Sequence, residues 1–210
     1  MRTRIKICGL RDPGHAKLAA QEGADAIGLV FHAASPRAIS IEDAMRVAAA
    51  VPPFVMTVGL FVDAPESEIR RVLERVPLDL LQFHGNETPG ECERFGKPFL
   101  RAVRMEEGVD LVEYAHRFSS AKALLLDAHV PGVPGGTGHR FDWGRIPREL
   151  PIPIVLSGGL DSGNVGQAIR ETRPWAVDVS SGVEGQRGVK DPAKITAFIR
   201  SVQREDVRPA

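Results

Sequence analysis

The residues best equipped for chemistry in this 210-residue chain stand at the ends of short apolar runs. Cys8 closes the run 5–8 and is followed at once by Gly9. Alternation there sets Ile5 and Ile7 on one face and Arg4, Lys6 and Cys8 on the other. His84 closes the run 80–84, two residues after Gln82. Asp127 follows Leu124, Leu125 and Leu126, and Ser180 closes 176–180, two residues after Asp178. A thiol, an imidazole and a carboxylate are groups that move protons or attack carbon. Each also has a plainer reading. A strand cysteine is most often a small buried hydrophobe, a histidine can simply brace a turn, and an aspartate at a strand end suits a cap. Their shared position at strand ends is what points to a site.

Two glycine-bearing turns lie near the end of the chain. Ser157-Gly158-Gly159-Leu160 precedes a helix led by Asp161 and Ser162, and Ser180-Ser181-Gly182-Val183-Glu184 follows the last apolar run. Glycine lets backbone N–H groups approach an oxyanion closely, and serine hydroxyls add donors. One such turn is commonplace, but two in succession suit a phosphate. Residues 131–138, rich in glycine, follow Asp127 and have the character of a substrate-covering loop. Arg37, in Ser35-Pro36-Arg37, can grip a carboxylate bidentately or stand as a solvated surface arginine.

The elements that must position these groups alternate regularly. Eight apolar runs (5–8, 26–31, 54–62, 80–84, 99–103, 123–127, 152–156 and 176–180) predict strands. Amphipathic segments between them, at 13–21, 41–50, 66–75, 89–95, 109–117, 162–171 and 192–204, predict helices, with a poor one near 143–148. Asp12-Pro13, Asp63-Ala64-Pro65 and Asp191-Pro192 place a capping residue beside proline at helix entries, and Ser40 with Asp43 resembles a capping box. Eight strand–helix units in little more than 200 residues predict an α/β fold, a single-domain (β/α)8 barrel over 1–204 with a short or irregular sixth helix and a tail at 205–210. A doubly wound open sheet is the second reading, but no glycine-rich dinucleotide turn follows the first strand. The outer face of a barrel must be apolar to meet helices, so the polar parity of Lys6/Cys8, Gln82/His84 and Asp178/Ser180 points inward, toward the rim where such barrels do chemistry.

Composition narrows the partners. A formal net charge of zero argues against bulk binding to nucleic acid or anionic membrane. The N-terminus lacks the apolar core of a signal peptide, and no run reaches the length of a membrane span. Cys8 and Cys92 match no metal-ligand spacing, which fits free thiols in a reducing cytoplasm. Cys92, on a polar predicted helix, has no evident chemical role.

In order, Lys6-Ile7-Cys8-Gly9-Leu10, Ser35-Pro36-Arg37, Val58-Gly59-Leu60-Phe61 and Leu81-Gln82-Phe83-His84-Gly85 are followed by Leu126-Asp127-Ala128 and Gly135-Gly136-Thr137-Gly138. Phe141-Asp142-Trp143, Gly158-Gly159-Leu160, Asn164-Val165 and Val177-Asp178-Val179-Ser180-Ser181-Gly182-Val183-Glu184 complete a set that strongly resembles the phosphoribosylanthranilate isomerases, tryptophan-pathway enzymes of the (β/α)8 class. The likeness covers nearly the whole chain. Ser157 stands where members often carry alanine and Phe83 where an aliphatic residue is usual, neither expected to touch a reacting group.

The resemblance implies an Amadori rearrangement of N-(5-phosphoribosyl)anthranilate to the corresponding 1-deoxyribulose, with no cofactor and no metal. It implies Asp127 as the acid and Cys8 as the base, Arg37 on the anthranilate carboxylate, and Gly158, Gly159, Ser180, Ser181 and Gly182 around the phosphate. His84 and Asp178 are expected as supporting rim residues that help bind substrate. A free aspartate of pKa about 3.9 needs its pKa raised to serve as an acid, and a free thiol near 8.5 needs its thiolate stabilised to serve as a base. Lys6, on the same strand face, is a candidate source of positive charge. The partner is thus a small phosphorylated sugar–anthranilate, bound by a monomer or homodimer. Other readings are a sister phosphate-binding barrel, such as indole-glycerol-phosphate synthase or ribulose-phosphate epimerase, and a non-catalytic sugar-phosphate sensor. The sister enzymes use other catalytic sets, and a sensor has no need of Cys8 and Asp127 together.

Overall fold

The computed structural model describes residues 2–128 and 141–207. Eight parallel strands close into a barrel: β1 (Arg4–Cys8), β2 (Ala26–Val30), β3 (Met56–Phe61), β4 (Leu80–Phe83), β5 (Phe99–Arg104), β6 (Ala123–Asp127), β7 (Ile154–Leu156) and β8 (Ala176–Val179). Closure is explicit in the register. β1 pairs with β2, Cys8 opposite Gly28, and with β8, Lys6 opposite Asp178. The fold is therefore the (β/α)8 barrel expected, built from one closed sheet.

Helices α1 (Pro13–Glu22), α2 (Ile41–Ala49), α3 (Glu66–Arg75), α4 (Pro89–Glu93), α5 (Leu111–Arg117), α6 (Val165–Thr172) and α7 (Pro192–Asp206) fill the crossovers. Among its described residues, the sixth crossover has a 3-10 turn, Trp143–Arg145. Local chemistry explains most starts. Asp12 accepts from His15 N, Ser40 from Asp43 N and Asp191 from Ala193 N and Lys194 N. Thr88 and Glu91 form a full capping box. Asp63 is a correction, because α3 has no side-chain cap. Asp63 is instead left-handed (φ 47°), and its carboxylate accepts from the Asn86 backbone and side chain, tying the β3 and β4 loops together. A second correction concerns the tail. α7 runs to Asp206, whose carboxylate accepts from Thr3 N and Oγ1, so the helix end is pinned to the first strand.

Alternation splits the core as the sequence predicts. Ile5, Ile7, Phe61, Phe83, Leu124 and Val177 face outward into the helix layer. Val58, Leu80, Leu100, Leu125 and Val155 plug the lower barrel interior. β5 breaks the rule of an apolar outer face with a charged residue. Arg101 of β5 is buried beneath the helices, where it pairs with Glu87 and donates to the carbonyls of Phe83 and Gly85. A buried arginine is tolerated there because a carboxylate and two carbonyls meet its Nη1 and Nη2, leaving Nε without a partner. Cys92 likewise differs from expectation: it is fully buried in the core, and burial pushes its thiol up to about 12. Beyond β8 the chain adds something periodicity did not reveal, an antiparallel hairpin of β9 (Glu184–Gln186) and β10 (Val189–Lys190).

Candidate active site

The upper interior of the barrel is polar and opens into a cavity of about 610 Å³ at the C-terminal ends of the strands. That size suits a small phosphorylated ligand. Cys8, Arg37, His84, Asp127, Gly158, Gly159, Asp178, Ser180 and Ser181 all line it. Gly182 does not; it works one step back. A Cβ on Gly182 would lie 1.9 Å from the Leu160 carbonyl oxygen, so its lack of a side chain lets the two glycine turns pack together. The glycine cluster at 131–138 lies outside the described residues.

Cys8 is buried and has no disulfide partner. Its neighbour across the β1/β2 ladder, Gly28, is what makes room for it. A Cβ on Gly28 would sit 2.7 Å from Cys8 Sγ and 3.2 Å from Lys6 Nζ. Thiol and ammonium thus share one pocket. Lys6 Nζ also donates to Asp178 Oδ1 at 2.9 Å, a buried ion pair across the β1/β8 seam. Burial pushes the Cys8 thiol above its ordinary value; Lys6 and Lys190 pull it down and Asp178 pushes it up, and burial wins. Burial lowers the Lys6 ammonium, but Asp178, joined by Cys8 when its sulfur is a thiolate, outweighs it and holds it at about 12. Lys6 therefore stays charged beside a thiol that rests protonated.

Asp127, buried at the end of β6, faces His84 across the rim, with His84 Nε2 3.2 Å from Asp127 Oδ2. The two are close enough for an ion pair but are not aligned as a hydrogen bond. The other ring nitrogen, Nδ1, lies 3.1 Å from Gln82 Nε2. With the amide assigned as donor, Nδ1 is the acceptor and the ring proton falls on Nε2, toward Asp127. Arg104 Nη2 donates to the His84 carbonyl at 3.3 Å and also lines the cavity.

The glycine turns take their shape from conformations that side chains resist. Gly158 (φ 82°) and Gly159 (φ 65°) are both left-handed, and a Cβ on Gly158 would lie 2.4 Å from Ala128 N. Asn164 Nδ2 donates to the Gly159 carbonyl, and the Asp161 carboxylate accepts from Gly163 N and Asn164 N. The turn is thereby fixed ahead of α6. Ser157, expected to be a bystander, lines the cavity and places Oγ 3.5 Å from Asp178 Oδ2. Phe83 does stay away, packed outward against Phe61, Phe95 and Phe99.

Arg37 holds a surprise. It is buried, and its Nε and Nη2 already grip a carboxylate, that of Glu184, at 2.6 and 3.1 Å. Sequence reasoning assigned no role to Glu184 or Lys190, nor to the cavity-lining Gln186 and Arg187 of the hairpin. The signal available was slight: Gly185 and Gly188 marking a turn.

A barrel rim carrying a thiol, a carboxylate with a facing imidazole, and two glycine turns now has relatives to be set against. Residues 5–201 match the family model described as N-(5'phosphoribosyl)anthranilate (PRA) isomerase. The chain belongs to that family. An N-(5'-phosphoribosyl)anthranilate isomerase of Pseudomonas putida is 54% identical over 200 residues, 95% of this chain and 97% of the relative. Among solved structures, the phosphoribosyl anthranilate isomerase of Thermotoga maritima superposes with a TM-score of 0.88 at 39% identity, covering 96% of this chain and 99% of that one. A phosphoribosyl anthranilate isomerase in complex with reduced 1-(o-carboxyphenylamino)-1-deoxyribulose 5-phosphate superposes with a TM-score of 0.85 at 38% identity, with the same coverage. This chain is thus an isomerase on a (β/α)8 barrel.

Proposed function

We propose that this cavity converts N-(5'-phosphoribosyl)anthranilate into 1-(2-carboxyphenylamino)-1-deoxyribulose 5-phosphate, with Asp127 as general acid and Cys8 as general base. Asp127 delivers a proton to the furanose ring oxygen, and the C1–O bond breaks to give a Schiff base. Cys8 then takes the C2 proton, and the electron pair moves into C1–C2 to leave an enolamine. Tautomerisation of the enol at C2 to the ketone, with protonation at C1, completes the rearrangement. Protons and electrons are redistributed within one molecule, so the balance calls for no cofactor.

The observation that carries this reading is that Cys8 and Asp127 line one cavity between Arg37 and the two glycine turns. A substrate anchored at its phosphate by the turns and at its carboxylate by Arg37 lays its ribose across both groups, converting remote binding into orientation at the reacting carbon. Lys6 supports Cys8 by sitting beside the sulfur as a fixed positive charge, which offsets burial when the proton arrives and leaves. His84 supports Asp127 by facing its carboxylate across the rim, and Asp178 holds Lys6 in place. Gly182 serves the phosphate indirectly, by letting the turns touch.

The barrel domain is proposed to work in the cytoplasm, where Cys8 stays reduced, as a monomer or homodimer. Among the described residues no helix is long and apolar enough to cross a membrane. The deciding experiment adds the purified chain to N-(5'-phosphoribosyl)anthranilate and follows loss of substrate fluorescence. Catalysed loss with appearance of the aminoketose is expected, and substrate that decays only at its spontaneous rate would refute the assignment.

A further inference from the structure

Arg37 is fixed at both ends before any ligand arrives. Its stem lies on Gly9, where a Cβ would come within 2.8 Å of Arg37 Cδ. Its backbone N–H donates to Ser35 Oγ, and its Nε and Nη2 are held by the two oxygens of Glu184. Glu184 is not Arg37's alone. Lys190 Nζ donates to Glu184 Oε1 at 2.9 Å, and Gly188 N donates to Oε2 at 3.0 Å. The same ammonium donates to the Ser180 carbonyl and Oγ at 2.9 and 3.1 Å, which uses all three of its hydrogens. Burial opposes an ionised Glu184, yet the Arg37 hydrogen bond and the Lys190 charge outweigh it and bring the carboxyl down to about 2.

Counting charge, two cations share one carboxylate, so the buried cluster keeps one positive charge in excess. The Glu184 bonds use the Nε edge of the guanidinium, and the five-donor fork still has its Nη1/Nη2 end to offer. We propose that Glu184 is a positioning residue of the isomerase: it clamps the inner edge of Arg37 so that the outer edge meets the substrate carboxylate in one orientation, while Lys190 prevents Glu184 from cancelling the charge. Preorganisation of this kind moves the ordering of a long side chain from the binding step to folding. The inference rests on the reading of Arg37 as the carboxylate anchor.

The test compares two non-reacting ligands by calorimetry: reduced 1-(o-carboxyphenylamino)-1-deoxyribulose 5-phosphate and its analogue lacking the ring carboxylate. The unmodified chain should bind the carboxylated ligand at least about tenfold tighter, as a charge-assisted contact of this type requires. In Glu184→Gln, and in Glu184→Asp, which draws the clamp back by one methylene, that ratio should fall below about threefold while Kd for the other analogue is unchanged. Arg37→Lys should collapse the ratio too. A ratio kept in both Glu184 variants but lost in Arg37→Lys overturns the clamp. A ratio kept in all three overturns the anchor reading beneath it. Equal weakening of both ligands in the Glu184 variants would reduce Glu184 to a scaffold for the hairpin.

Discussion

Lys6 and Asp178 meet across the seam where the first strand closes on the last, ammonium to carboxylate at 2.9 Å, beside the Cys8 thiol. Lys6 sets a positive charge against a sulfur that burial, together with Asp178, keeps protonated. A base that rests as its conjugate acid works in proportion to its thiolate fraction. Since the Cys8 pKa is raised above its ordinary value, the thiolate absorbance, read as the difference from Cys8→Ala, should still be climbing at pH 9. Lys6→Met should carry that rise further into the alkaline range. A thiolate signal already level below pH 8 in the unmodified chain would contradict it.

Removal of either proton-transfer group should silence turnover without unfolding the barrel. Cys8→Ala and Asp127→Asn are each expected to lower kcat by about 10²–10⁴-fold, with unchanged circular dichroism. Near-normal turnover in either variant would remove that residue from the mechanism.

His84 stands 3.2 Å from Asp127 without aligning to it, the posture of a support. His84→Asn is therefore expected to cost less than Asp127→Asn, by at least about tenfold in kcat if only the placement of Asp127 is lost. Equal losses would place His84 in the proton transfer itself.

Arg37→Ala should act on binding first. KM is expected to rise by about 10- to 100-fold, the worth of a charge-assisted contact of about 1.5–3 kcal/mol, with kcat changed far less. Steady-state kinetics separate the two, and an unchanged KM would end the anchor idea.

Glu184 makes a prediction about acid stability. Its carboxyl is at about 2 in the fold against an ordinary 4.5. A depressed pKa contributes stability above the unfolded value and loses it as pH falls through the folded one. The chain should therefore lose on the order of 3 kcal/mol between pH 4.5 and 2 on this account alone. Urea titrations across that range should show a shallower acid loss for Glu184→Gln, and parallel curves would contradict the clamp's electrostatics.

The sequence by itself determined the barrel and the parity of its strands. Eight apolar runs spaced by amphipathic helices leave few packings, and strict alternation sends Lys6, Cys8, Gln82 and Asp178 inward because the outer face must meet helices. That was enough to bring Cys8 and Asp127 to one rim. Partnership was another matter, since it joins residues that neither period nor spacing relates. Glu184 reaches Arg37 across 147 positions and Lys6 reaches Asp178 across 172. The hairpin that carries Lys190 to the site is too short to leave a periodic trace, and Arg101 escapes the apolar rule only because Glu87 and two carbonyls meet it under the helices. The charge state of Cys8 likewise depends on how burial and Asp178 balance against Lys6 and Lys190, residues drawn from three strands. Closure of the barrel brought those groups together, and their energetics exist only in that three-dimensional sum.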